Sequence, residues 1–185
     1  MRIIRGIWSN QPLTSPGRRV RPTHEEVRDA WLSYLEPFIP EARVIDLFAG
    51  SGSLGLEALS RGAASADFVD DSPYALHALK ANVAARRIKP LKKGQSPSAS
   101  RKSARIFKRD AIPFSHRLTQ NAYDIAFADP PYGSRKLERI YSIWVETGFS
   151  PIFGVEHAPD HVVPAGRHSI TFEASHVTIY HHNDI

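Results

Sequence analysis

Cysteine is missing altogether and methionine occurs once, at position 1. Without a thiol there is no disulfide, no thiolate nucleophile and no cysteine zinc site. Long apolar runs are lacking too. No uncharged stretch nears the roughly 20 residues that a bilayer-spanning helix requires, and the opening MRIIRG turns polar at once. Neither a membrane span nor a secretory signal is expected, and a cytoplasmic location is. Acid is lacking locally: residues 1–24 hold five arginines, and residues 86–109 ten Lys or Arg, with no Asp or Glu in either stretch.

What is present fits one globular domain. The chain has 185 residues, 42% of them hydrophobic and 23% charged, enough to bury a core without covalent staples. The two acid-free stretches carry 15 of the 24 basic residues, so the other nine face all 19 acids. Basic charge segregated in this way is the footprint of a polyanion partner; a solvated arm and loop would give the same pattern.

Residues 1–22 read as a basic arm or short hairpin, and residues 23–185 as one domain. Thr23 and Glu26 have capping-box spacing ahead of a helix carrying Val27, Ala30, Trp31, Tyr34, Leu35 and Phe38 on one face. From Arg43 strands and helices alternate. ARVIDLF, SADFVD, ARIFKRD and AYDIAFAD are apolar strands; glycine-rich, Ser-Pro and Pro-Pro turns lead into helices after three of them. PIFGVEH is a fifth strand, and HSITFEA with HVTIYHH forms a closing hairpin of period two. The pattern predicts an α/β fold: a mostly parallel twisted sheet, helices on both faces and an antiparallel C-terminal hairpin. Residues 89–104 are Ser-, Lys- and Pro-rich and are expected to be an exposed basic insertion.

Aspartates 46, 70, 110 and 129 fall at the ends of the four apolar strands. Parallel strands share one C-terminal edge, where ligands of open α/β sheets bind, so these four carboxylates would converge. Gly50, Gly52 and Gly55 form GxGxxG between strand and helix, which fits several adenosyl cofactors. Asp46 ahead of the glycines would welcome an ammonium and repel a pyrophosphate. Asp70 is placed to accept from ribose hydroxyls, and Asp71 either caps the next helix or faces the ribose. These features suit S-adenosylmethionine better than NAD. Asp129-Pro130-Pro131-Tyr132 is a stiff strip, because residues before proline stay extended and proline has no N–H. Asp129 and the Pro130 carbonyl could accept both hydrogens of a planar exocyclic amine while Tyr132 stacks on its base. Nine histidines, His157 and His161 among them, are read as scattered surface residues, and no metal is expected.

DLFAGSGSLGLEALSRGAAS, the acidic end of SADFVD, RDA and DPPYG resemble the S-adenosylmethionine-dependent amino-methyltransferases. RPTHEEVRDAW resembles a narrower group, the bacterial family that methylates guanine N2 in small-subunit (16S) ribosomal RNA. The resemblance covers roughly residues 1–180 and implies a Rossmann-like class I methyltransferase. It implies that Asp46, Phe48, Gly50 and Gly52 cradle the methionine part of the cofactor, Asp70 the ribose, and Asp110 with Ala111 the adenine. Asp129, Pro130, Pro131 and Tyr132 would hold the target base. Arg2, Arg21, Thr23 and Arg28 would shape the RNA side, and the other arm arginines, Arg5, Arg18 and Arg19, are expected to join them. The implied partner is 16S rRNA in the small subunit; a monomer is the default expectation. Two alternatives stay open: the same chemistry on adenine N6 in DNA, and a catalytically silent RNA-binding assembly protein on this fold.

Overall fold

The computed structural model describes residues 1–15, 17, 24–90, 98 and 100–184. Seven strands form one sheet: β1 (Arg43–Leu47), β2 (Ser65–Asp70), β3 (Ser103–Lys108), β4 (Ile125–Ala128), β5 (Ile152–His157), β6 (His168–Thr171) and β7 (His176–His181). Their order is β3-β2-β1-β4-β5-β7-β6. β1 to β5 are parallel, and β7 runs antiparallel to both β5 and β6. This is the expected Rossmann-like architecture. The order reverses between β1 and β4, where Leu47 is paired with Ala128. At such a reversal the loops leaving the two strands diverge to opposite faces and open a crevice.

Both faces of the sheet are covered, which is why its central strands read as unbroken apolar runs. Alternate residues serve opposite cores: Val44, Ile125 and Phe127 join one, Ile45, Leu47, Ala126 and Ala128 the other. The first core takes in α1 (Glu25–Tyr34), α2 (Ser53–Arg61) and α3 (Pro73–Ala85). Trp31 of α1 meets Phe127 edge-on with ring centroids 5.3 Å apart. It lies over Gly154 in β5, where a Cβ would come within 2.4 Å of its indole nitrogen. The second core takes in α4 (Ala111–Ser115) and α5 (Lys136–Thr147), with Trp144, Phe149 and Phe153 fully buried.

Two local expectations are corrected. α1 opens at Glu25 with His24 at its N-cap and no side-chain cap bond, so the helix starts one residue past the expected capping box; Thr23 lies outside the described residues. The helix also stops at Tyr34, and Glu36–Phe38 forms a separate 3-10 turn at Pro37 that leaves Phe38 exposed. A further short helix, α4, forms over AIPFS. A proline in the first turn removes only an N–H that would have no helical partner, and the Asp110 side chain caps the helix.

The first fifteen residues are fastened down. Arg2 bridges Pro12, the Ile3 N–H donates to the Gln11 carbonyl at 2.9 Å, and Ile3 and Leu13 are buried. Glu57 of α2, fully buried, accepts the backbone N–H groups of Ile4 and Arg5, each at 2.8 Å. Ser60 accepts from the Trp8 N–H and donates to the Arg5 carbonyl at 2.6 Å. Gly6, at φ +84°, lies so close to the Ser60 carbonyl that any Cβ would overlap it. Asn82 of α3 accepts the Thr14 N–H at 2.7 Å and donates to the carbonyls of Thr14 and Ser51. One buried amide thus ties the hairpin to the glycine loop. Of the basic insertion, residues 91–97 and 99 lie outside the described residues.

Candidate active site

The loop leaving β1 must turn sharply to feed α2, and three of its residues adopt left-handed backbone: Phe48 at φ 62°, Gly50 at 55° and Gly52 at 79°. Glycine takes this conformation freely, whereas a phenylalanine held there costs about 1–3 kcal/mol. The loop is braced by carboxylates. Asp70 accepts the Gly50 N–H through one oxygen and the Ser72 N–H through the other, both at 2.8 Å. Asp46 accepts the Gly55 N–H at 2.9 Å, and a Cβ on Gly55 would lie 2.5 Å from Phe68.

Burial pushes the Asp46 carboxyl up to about 8; the nearby Asp70 adds to this and the Gly55 N–H opposes it. Asp70 is also raised, by burial first and by Asp71, against the Gly50 and Ser72 N–H groups and Lys136. Lys136 reaches back from the start of α5, its ammonium 5.4 Å from the Phe48 ring centroid. A floor of buried carboxyl groups suits a cationic ligand, which would stabilise their charged form, and disfavours a pyrophosphate.

Asp110 is exposed and caps α4 through the Ile112 N–H at 2.9 Å, while Ala111 is buried behind it. Asp71 is exposed and does not cap the following helix; Ser72 does, accepting from the Ala75 N–H. That helix-cap expectation for Asp71 is therefore corrected.

Across the crevice, Asp129 to Tyr132 leave β4. Asp129 is half-buried, Pro130 buried, and Pro131 and Tyr132 exposed. The Pro131 carbonyl accepts from the Ser134 hydroxyl at 2.6 Å, closing a turn at Gly133. The Tyr132 hydroxyl donates to Glu156 at 3.1 Å, and burial with Glu156 nearby raises the phenol above its ordinary range. Pro130, Pro131, Tyr132, Glu156, His157 and His161 line a small, partly open pocket. Glu156 is not among the expected site residues, although it bears the same signal as the four aspartates: an acid at the C-terminal edge of a parallel strand.

The histidine expectation needs correction. His157 is 5% exposed, bonded to the Thr178 hydroxyl at 2.9 Å and the Ala158 carbonyl at 3.0 Å, and burial lowers its basicity. Among the described residues no group of three His, Cys, Asp or Glu could hold a metal ion.

The RNA-side residues fare unevenly. Arg2 pairs with Glu25 at 3.3 Å and Arg5 with Asp29 at 2.8 Å. Arg28 is wholly buried, donating to the Arg2 carbonyl and lying 3.6 Å from Glu57. It braces the hairpin from within and offers nothing at the surface, contrary to expectation. Arg18, Arg19, Arg21 and Thr23 lie outside the described residues.

Comparison with known proteins places the chain. The family described as Conserved hypothetical protein 95 matches residues 1–149. Ribosomal RNA small subunit methyltransferase D of Escherichia coli K12 is 36% identical over 154 residues, 80% of this chain and 69% of the relative. The Haemophilus influenzae protein of the same name is 31% identical over 153 residues, 80% and 72%. Among solved structures, the Escherichia coli protein yhhF, described as a putative methyltransferase, superposes with a TM-score of 0.78 at 30% identity, covering 98% of this chain and 97% of that one. A hypothetical protein of Thermus thermophilus gives 0.77 at 26%, covering 98% and 99%.

Proposed function

Because the chain belongs to the Conserved hypothetical protein 95 family, with relatives named ribosomal RNA small subunit methyltransferase D, we propose that it methylates the N2 amine of a guanine in small-subunit rRNA, with S-adenosylmethionine as donor. The observation that carries this reading is the position of the Asp129–Tyr132 strip directly across from the glycine loop, at the strand-order reversal between β1 and β4.

The residues present fit that donor. Asp46 is a buried carboxyl whose charge a cation would stabilise, Phe48, Gly50 and Gly52 shape a loop that a ligand can approach closely, and Asp70 offers acceptors for ribose hydroxyls. Asp71 would border the ribose, and Asp110 with Ala111 would border the adenine. When bound, the cofactor supplies an electrophilic methyl group on a sulfonium. The protein's part is alignment. Asp129 and the Pro130 carbonyl accept the two amine hydrogens, which turns the nitrogen lone pair out of conjugation and toward the methyl. Tyr132 stacks on the base, which must be unpaired or flipped to enter. The proton leaving the methylated nitrogen is taken at the Asp129 carboxylate. No covalent enzyme intermediate is needed, and catalysis rests on positioning and preorganised charge.

One expected result concerns protons. A carboxyl pushed up to about 8 is largely protonated at neutral pH, and a cation nearby lowers its pKa. Cofactor binding should therefore release close to one proton, and affinity should rise with pH until about 8 and then level off. Calorimetric titrations in buffers of different ionisation enthalpy measure the release directly. Asp46→Asn should abolish it; a release of the same size in that variant would remove Asp46 from this role.

The reaction itself is tested with purified protein, tritiated S-adenosylmethionine and small subunits from a strain lacking the gene. N2-methylguanosine in the digested rRNA is the expected product. Label found only on adenine in DNA would replace the substrate. Cofactor bound with no label transferred would point to an assembly protein without catalysis.

A further inference from the structure

We infer that Arg135 and Arg139, at the start of α5, hold consecutive backbone phosphates of the RNA strand that delivers the target base. This rests on the RNA-methylation reading above. Arg135 sits at the N-cap of α5, three residues beyond Tyr132, and Arg139 lies one turn further on. Both are exposed. Positions four apart share a helix face and are separated by about 6 Å along its axis. That spacing matches adjacent phosphates in an extended single strand. A base seated against Tyr132 would leave its own strand running past this turn of helix.

Charge accounting sets these two apart from the arginines of the amino-terminal hairpin and of the helices α1 and α2 beneath it. Arg2, Arg5, Arg28 and Arg61 are committed to Glu25, Asp29 and Glu57. Among the described residues neither Arg135 nor Arg139 is within ion-pair distance of an acid. The acid between them, Glu138, is directed to His161 at 3.5 Å. Lys136, the third cation of the segment, lies over Phe48 and is attracted to Asp70, so it serves the cofactor side. The turn therefore sends one positive charge inward to the cofactor floor and two outward beside the base strip. Guanidinium groups are suited to phosphate through paired N–H donors.

Binding of a short single-stranded oligoribonucleotide of mixed sequence, measured across a salt series, tests this. Each phosphate contact contributes about 0.7 to the slope of log affinity against log salt for a single strand. Arg135→Ala/Arg139→Ala should flatten the slope by about 1.4 and weaken binding about tenfold near physiological salt. Arg135→Lys/Arg139→Lys should restore most of the slope, and calorimetry should find S-adenosylmethionine affinity unchanged in both variants. A wild-type slope in the double alanine variant overturns this inference alone. Wild-type protein that binds the RNA without salt dependence, or not at all, overturns both the inference and the RNA reading on which it rests.

Discussion

Asp129→Ala is expected to slow methyl transfer by about 10²- to 10³-fold, the size of effect produced when one preorganised polar contact to a reacting centre is removed. S-adenosylmethionine binding should stay near wild type, because Asp129 stands across the crevice from Asp46 and Asp70. The alanine variant keeps the Pro130 carbonyl and the Tyr132 ring, so the base can still enter. What it loses is the acceptor that turns the amine lone pair toward the methyl group. Asp129→Asn keeps one acceptor oxygen and should fall between the two. Single-turnover rates at saturating cofactor measure the step directly. A rate for the alanine variant within about tenfold of wild type, ~1.4 kcal/mol of barrier, would remove Asp129 from the mechanism.

The second large effect is structural. Glu57 is completely buried, accepts two backbone N–H groups of the hairpin and bonds the Arg61 guanidinium at 3.1 Å. It also lies 3.6 Å from the equally buried Arg28. Glu57→Ala would strand that guanidinium and two peptide donors together. Removing one member of a buried ion pair destabilises by about 3–5 kcal/mol. At about 2–4 °C per kcal/mol for a chain of this size, the melting temperature should fall by roughly 6–20 °C. Glu57→Gln retains an acceptor for the hairpin and should lose less. Thermal unfolding of the two variants gives the ranking; an alanine variant melting with wild type would mean that the hairpin is held by its other fastenings, Ile3, Leu13, Ser60 and Asn82 among them, without Glu57.

The parts of this molecule that could be read from the sequence are those encoded locally. Strands β1 to β5 announce themselves as apolar runs ending in acid or histidine, and the shared direction of the first four brings Asp46, Asp70, Asp110 and Asp129 to one edge. The glycine loop and the Pro-Pro strip carry their geometry in their own residue types. What escapes depends on partners distant in sequence. Arg28 looks like any helix-surface arginine until Glu57 and the Arg2 carbonyl are placed around it. Glu156 is legible by the rule that finds the four aspartates, but its bond to Tyr132 follows only from the neighbouring places of β4 and β5. The burial of His157 depends on Thr178, contributed by the antiparallel β7. Charge counting finds the basic segments and cannot tell which of their members are already neutralised at home.

The hairpin's fastenings also set an order of events during synthesis. Its bonds run from Ile4 to Glu57, from Thr14 to Asn82 and from Pro12 to Arg86, spans of 53, 68 and 74 residues. The hairpin leaves the ribosome well before any of these partners, and it must remain unanchored while α2 and α3 are still being made. Contacts of such separation are slow to close. The glycine loop, which shares Asn82 with the hairpin, is thus completed from both sides only when residues far apart in time of emergence have met.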